Sequence, residues 1–169
     1  MQILEAGSLA PMFVSQDQNN TPLDLAAALQ KSPVLLVFAH PAINASRLVV
    51  GYLRRWAEIA PGVPVWVLSE GRLEETKKYI GEGDNTYLKM PVAHDNCAVA
   101  TLYGVSYLPT VYLIGQDGKI IRGYSGFNRD FMNWVAAEAA RLTGGKTKDL
   151  IAESDNKGFY ELAERGPCA

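Results

Sequence analysis

The sequence has few cysteines, no long apolar run and no excess of basic residues, and each of these absences excludes a class of protein. Two cysteines in 169 residues are too few for a small secreted domain held together by disulfides. The longest apolar stretch, Pro33–Ala39, is too short to span a bilayer. Sixteen basic residues stand against 18 acidic ones, which does not predict a nucleic-acid surface. We therefore expect no nucleic-acid partner and no membrane span.

The first residues carry no targeting signal. Met1–Leu9 lacks the basic start and apolar run of a secretory signal peptide. We therefore expect a cytoplasmic protein by default. Export of a longer precursor stays open, and export would change the redox environment of the cysteines.

What the sequence does contain is an ordinary globular composition. With 48% hydrophobic and 20% charged residues, the chain can bury a core, and its length suits one domain with a little spare chain. We place the domain at residues 1–143. A polar C-terminal arm, residues 144–169, follows it, and we expect this arm to be either a folded-back helix or a mobile segment. The oligomeric state is not indicated.

Strand and helix signals alternate along the chain, which is typical of an α/β fold. Apolar β-branched runs predict buried strands, the Asp117-Gly118 pair predicts a hairpin, and Asn128 is expected to cap the last helix. The predicted strands are Pro33–His40, Val63–Ser69, Tyr87–Val92, Thr110–Ile114 and Lys119–Tyr124. The predicted helices are Ser46–Ala60, Leu73–Ile80, Cys97–Tyr103 and Arg129–Leu142.

Three stretches carry a resemblance to a known family. They are Gly7–Phe13 with Thr21–Leu25, Val92–Asp95 with Ala98–Val105, and Tyr107–Thr110 followed by the Asp117-Gly118 hairpin. Over residues 5 to 142 this order resembles the redoxin superfamily, which includes TlpA-type thiol-disulfide oxidoreductases and AhpC/TSA peroxiredoxins. The resemblance implies a thioredoxin-like fold, with a central mixed sheet flanked by helices. It also implies a redoxin-type N-terminal extension, an internal helix–strand insertion and a cis peptide bond before Pro109.

The catalytic CxxC motif of these oxidoreductases is replaced here by Ile43, Asn44, Ala45 and Ser46. Ile43 stands where the nucleophilic cysteine is expected, and Ser46 stands where its resolving partner is expected. Isoleucine forms no thiolate, and a serine without an activating base does not replace one. The peroxiredoxin pattern, seven residues after Pro41, falls on Leu48. The usual chemistry is therefore predicted to be absent.

A binding function is our leading hypothesis for what remains. The resemblance implies a groove at Tyr107, Leu108 and Pro109, where the backbone of Leu108 would pair with an extended peptide. The apolar residues Ala42, Ile43 and Ala45 would either extend this groove as an exposed patch for a protein or peptide partner or be buried under the arm. On this hypothesis the protein is a redox-silent binding or accessory protein.

A relocated thiol is the alternative. Cys97 at a helix start would have its thiolate favoured by the helix dipole, with His94 as activating base and Cys168 as redox partner. The protein would then be a thiol-disulfide oxidoreductase or a weak peroxidase. Cys97 would otherwise be a small buried residue. The spacing of His40, His94 and Cys97 does not support a metal site, so we expect no metal and no cofactor.

Overall fold

The computed structural model describes residues 3–80, 90–146, 148–155 and 158–169. Within them the chain forms a central sheet with helices packed around it. The strands are β1 (Val14–Gln16), β2 (Pro22–Asp24), β3 (Val34–Ala39), β4 (Val65–Ser69), β5 (Val92–His94), β6 (Tyr107–Leu108), β7 (Thr110–Ile114), β8 (Ile120–Ser125), β9 (Phe127–Asn128), β10 (Tyr160–Glu161) and β11 (Glu164–Arg165). The helices are α1 (Leu25–Leu29), α2 (Asn44–Leu53), α3 (Leu73–Ile80), α4 (Ala98–Leu102) and α5 (Arg129–Thr143).

The central sheet has the strand order β5-β4-β3-β7-β8 and is mixed. Strands β3, β4 and β5 are parallel, and β7 runs antiparallel to β3. Their registers pair Leu36 with Trp66 and Val37 with Val111. Because β7 runs the other way, its first residue lies at the edge of the sheet where the three parallel strands end. We call this edge the carboxyl edge.

The core forms around β3, which is the middle strand and is buried along its whole length. The apolar run predicted for this strand is confirmed, because a strand with neighbours on both sides and helices above it meets no water on either face. Strands β4, β7 and β8 and helices α3 and α5 also lie where they were predicted, within two residues at each end. The side chain of Asn128 accepts the Phe131 backbone N–H at 2.9 Å, which confirms the predicted cap.

Two predicted elements differ from the structure. The helix predicted over Ser46–Ala60 is shorter, since α2 ends at Leu53 and a 3-10 turn follows at Trp56–Glu58. The tighter turn buries Trp56, whose indole N–H donates to the Val63 carbonyl at 2.9 Å. The strand predicted over Tyr87–Val92 falls mostly on residues 81–89, outside the described residues, and β5 begins at Val92.

The C-terminal arm is neither a helix nor a loose segment in its described part. It makes a 3-10 turn at Glu153–Asp155, and then β10 pairs antiparallel with β9 and β11 pairs antiparallel with β6. Leu150 and Ile151 are buried in the domain core. The sequence offered no helical or alternating pattern for these contacts because the arm's strands are only two residues long. Across the described ranges, no helix is long and apolar enough to cross a membrane.

Candidate functional site

The cis peptide bond expected before Pro109 is present between Leu108 and Pro109. It stands between β6 and the first residue of β7 and therefore lies at the carboxyl edge. Leu108 is fully buried and Tyr107 is half-buried. The groove residues predicted from the sequence thus come together beside the ends of β3, β4 and β5.

The segment Ile43–Ser46, which the resemblance places at the position of the CxxC motif, lies mostly in the core. Ser46 is fully buried, and its hydroxyl accepts the His40 backbone N–H at 3.1 Å. Ile43 and Ala45 are also buried, whereas Asn44 is exposed at the start of α2. The exposed patch considered from the sequence does not form, because of its apolar residues only Ala42 is exposed. The hydroxyl of Ser46 closes the loop after β3.

The groove beside Pro109 is occupied by the protein's own C-terminal arm. In the antiparallel pairing of β11 with β6, Arg165 lies opposite Tyr107 and Glu164 lies opposite Leu108. The Gly166 backbone N–H then donates to the Ser106 carbonyl at 2.9 Å. A partner strand could therefore reach β6 only after this part of the arm had moved.

Cys97 and Cys168 form a disulfide at the carboxyl edge. The two residues are 71 positions apart in the sequence, and their Cα atoms lie 5.3 Å apart. Both residues are half-buried, so neither cysteine is enclosed in the core. The disulfide fastens the end of the arm two residues beyond the Gly166 hydrogen bond.

Cys97 lies at the start of a helix, as expected from the sequence. Helix α4 has only five residues, and Cys97 precedes it with φ of +62° and no side-chain capping bond. The N-terminal N–H groups of Val99 and Ala100 instead donate to the carboxylate of Asp95, each at 2.9 Å. Two N–H groups at the start of α4 are thus already paired with a carboxylate, and the effect of the helix dipole on a Cys97 thiolate stays a prediction.

The surroundings of the two histidines bear on the activating role predicted for His94. His94 is exposed at the end of β5, and no hydrogen bond or ion pair joins it to either cysteine within the described part of the chain. Nδ1 of His40 accepts the Ala42 N–H at 3.0 Å, and its Nε2 lies 3.8 Å from the Glu75 carboxylate. Among the residues that the structure places, no group of three metal-binding side chains is present.

Glu70 is the site residue that sequence reasoning missed. It directly follows β4, it is 6% exposed, and neither carboxylate oxygen accepts a hydrogen bond of normal geometry. Burial raises the pKa of Glu70 to about 7, and the nearby charge of Asp95 also raises it. The backbone amide of Cys168 has the smallest effect and lowers the pKa. An acidic residue directly after a buried parallel strand was the available signal.

The carboxyl edge therefore combines a disulfide, a carboxyl group that changes charge near neutral pH and a strand edge beside a cis-proline. An acid with a pKa near the working pH can both give and take a proton. Thiol–disulfide exchange needs such proton transfers, because each cysteine leaves or attacks as a thiolate. These groups could support thiol–disulfide exchange at a position different from Ile43–Ser46, where the resemblance places the CxxC motif.

The mixed sheet, the cis-proline and the flanking helices define a thioredoxin-like fold. The sequence profile of the AhpC/TSA family matches residues 6–122, and the chain belongs to this family. This confirms the resemblance seen in the sequence. No curated protein sequence matches the chain at a significant level.

The chain is similar to several solved structures with this fold. Peroxidoxin BcpB from Mycobacterium tuberculosis is 20% identical, with 82% of this chain and 97% of that chain covered and a TM-score of 0.68. A secreted disulfide oxidoreductase from M. tuberculosis, homologous to E. coli DsbE, is 17% identical, with 77% and 96% covered and a TM-score of 0.62. A thiol:disulfide interchange protein from Bacteroides sp. is 20% identical, with 86% and 94% covered and a TM-score of 0.63. These similarities establish the fold alone.

Proposed function

We propose that this protein is a thiol–disulfide exchange protein whose redox pair is Cys97 and Cys168. The observation that carries this proposal is the disulfide between the two cysteines at the carboxyl edge, beside Leu108–Pro109. Both cysteines are half-buried, so we expect a small thiol to reach the bond. The activity that the family and the similar structures suggest would thus continue with a different pair of cysteines.

The exchange that we propose runs in either direction, since the reverse of each step reduces a partner disulfide. In the oxidising direction it consumes a partner dithiol and releases a partner disulfide. A thiolate of the partner attacks one sulfur of the Cys97–Cys168 bond, which breaks, and the other cysteine leaves as a thiolate and takes up a proton. The partner's second thiol loses its proton and attacks the partner's own sulfur in the mixed disulfide, which forms the partner's disulfide. The remaining cysteine of this protein leaves as a thiolate and takes up a proton. The partner has then lost two electrons, and both cysteines are reduced. Glu70 lies beside the backbone of Cys168 and is our candidate for supplying one proton.

Catalysed reduction of insulin disulfides by dithiothreitol tests the proposal. We expect the wild-type protein to accelerate this reaction and the Cys97→Ser and Cys168→Ser variants to give only the background rate. The matched control is Ser46→Ala, which alters the former motif and should stay within about twofold of wild type. A wild-type rate equal to that of Cys97→Ser would contradict the proposal.

A redox-silent binding protein is the second candidate, and a specific observation favours it. The edge of β6 accepts an antiparallel strand, as the arm demonstrates, and Ile43 and Ser46 lie in the core. On this hypothesis the disulfide serves only to hold the arm. The insulin experiment separates the two candidates, because a binding protein gives no acceleration. The peroxidase form of the thiol hypothesis is less favoured than exchange, since no hydrogen bond or ion pair joins His94 to Cys97 among the described residues.

A further inference from the structure

The last residues of the arm combine a strand pairing and a disulfide within one short stretch. Residues Glu164 and Arg165 pair with β6, Gly166 donates to Ser106, and Cys168 is bonded to Cys97. The arm therefore holds its cysteine against Cys97 in the same way that an extended partner segment would have to hold one. The residues around Cys168 indicate which segments fit there.

Of the residues Glu164, Arg165 and Gly166, which precede Cys168, Gly166 has the least room for a side chain. A Cβ atom added there would lie 2.7 Å from Cδ1 of Leu108 and 3.0 Å from Oε2 of Glu70. Leu108 and Glu70 are both buried, so neither side chain can swing freely into solvent. The side chains of Glu164 and Arg165 are exposed and therefore place no such limit on size.

We propose that Cys97 exchanges with partner segments that replace the arm on β6 and carry a glycine two residues before their cysteine. This inference rests on the proposed function, because it requires Cys97 to react. The reduced thiolate of Cys97 attacks the partner cysteine's disulfide, and the partner's other thiol leaves and takes up a proton. Cys168 then loses its proton and attacks the Cys97 sulfur, which re-forms the Cys97–Cys168 bond and breaks the mixed disulfide. The partner cysteine leaves as a thiolate and takes up a proton. The partner thus gains two electrons, and the two cysteines lose them.

The test uses the 169-residue chain with Cys97 as its sole thiol. The variant Gly166→Val/Cys168→Ser is expected to displace the arm from β6, because the valine side chain would overlap Leu108. The matched control is Gly158→Val/Cys168→Ser. Among the described residues, a Cβ atom at Gly158 meets one atom within 4 Å, the Tyr160 carbonyl oxygen at 3.6 Å, so the arm should stay in place. A circular dichroism spectrum checks that both variants are folded.

Two synthetic peptides serve as probes. One copies residues 163–169 as Ala-Glu-Arg-Gly-Pro-Cys-Ala, and the other has valine in place of its glycine. In both, the cysteine is activated as a mixed disulfide with a coloured aromatic thiol, so that release of the thiol reports the reaction with Cys97. We expect the glycine peptide to react about tenfold faster or more, because overpacking at this position opposes binding of the valine peptide. The glycine peptide should also react about tenfold more slowly with the Gly158→Val/Cys168→Ser control than with the Gly166→Val/Cys168→Ser variant, because the arm of the control still covers β6.

The outcomes separate the inference from the proposed function. Equal rates for the two peptides, with Cys97 still reactive toward a small aromatic disulfide, would overturn the glycine preference and leave the exchange proposal standing. Equal rates of the glycine peptide with both protein variants would overturn the replacement of the arm on β6. Failure of Cys97 to react even with the small disulfide would overturn both the exchange proposal and this inference.

Discussion

At the scale of single residues, Glu70 is placed where its ordinary charged state is unfavourable. Its carboxyl group is buried without a hydrogen bond of normal geometry, and the charge of Asp95 lies nearby. Both effects favour the neutral acid. Between pH 4.5 and about 7, the folded protein therefore keeps a proton on Glu70 that the unfolded chain has released. Stability must therefore depend on pH through this residue.

The sign of this dependence follows from the two pKa values of Glu70, about 7 in the folded protein against 4.5 for the free side chain. The stabilising effect of the retained proton is fully present below 4.5 and is lost as the pH rises toward about 7. We expect Glu70→Gln to remove this loss and to make the protein more stable than wild type at pH 8, by at most about 3 kcal/mol. Urea unfolding of the oxidised protein at pH 5 and pH 8 measures the effect.

The control for this prediction is Glu74→Gln, which changes an exposed glutamate on α3. It should lose as much stability between pH 5 and pH 8 as the wild-type protein does. If the Glu70→Gln variant lost the same amount as the other two proteins, Glu70 would be charged in the folded state at both pH values.

Single residues with local partners were predictable, and those with distant partners were not. Asn128 and Asp95 bond to amides three to five positions further along the chain, so the sequence around them contains the whole interaction. Glu70 is buried in part by Gly166, which lies almost 100 positions away. No pattern near Glu70 could indicate that contact.

At the scale of elements, the arm is fastened at two separate places. The disulfide holds its end, and the buried residues Leu150 and Ile151 hold its beginning. The side chain of Asn133 on α5 accepts the Ile151 N–H at 2.8 Å and donates to the Ile151 carbonyl at 3.0 Å. Arg55 and Asp155 add an ion pair of 2.7 Å, but it is partly exposed and therefore contributes little.

We expect Asn133→Ala to loosen the beginning of the arm, because it leaves the buried N–H and C=O groups of Ile151 without partners. The free energy of unfolding should fall by about 1 to 3 kcal/mol. The Cys168 thiol would then be held less closely to Cys97. The dithiothreitol concentration at which half of the disulfide is reduced, the dithiothreitol midpoint, should therefore be about two- to tenfold lower than in wild type. Alkylation and mass measurement across a dithiothreitol series give this midpoint.

The matched control is Gln116→Ala in the exposed β7–β8 turn, where the lost side chain makes one long hydrogen bond of 3.4 Å to Gln30. It should leave the dithiothreitol midpoint unchanged. An unchanged midpoint in Asn133→Ala as well would mean that the first part of the arm does not position Cys168.

The elements that were predicted correctly have sequence patterns of their own. β3 is a continuous apolar run, the β7–β8 hairpin contains the Asp117-Gly118 turn, and α5 has an N-cap and a C-terminal glycine at positive φ. The strands β10 and β11 exist only because β9 and β6 offer free edges to them. A two-residue strand has no periodicity, so its pairing could not be read from the sequence.

At the scale of the whole molecule, the AhpC/TSA fold has kept its carboxyl edge and has closed it with its own C-terminus. The resemblance predicted this edge and the cis-proline correctly. The Cys97–Cys168 pairing could not be decided from sequence, because two cysteines 71 positions apart meet only through the fold. Reduction of the disulfide should therefore release the arm and leave the domain folded, since the disulfide joins the arm to the carboxyl edge of the sheet.

Hydrogen exchange tests whether this opening is local. The Gly166 amide, bonded to Ser106, reports on the arm, and the Leu35 amide, bonded to Pro64 in the core, reports on the domain. We expect reduction to accelerate exchange at Gly166 by at least about tenfold and to leave Leu35 unchanged, because a two-residue strand without its covalent tie opens far more easily than the central sheet. Oxidised protein measured at the same pH is the reference. Acceleration at both amides would mean that the disulfide supports the whole fold, and no acceleration at Gly166 would mean that β11 holds the arm in place without it.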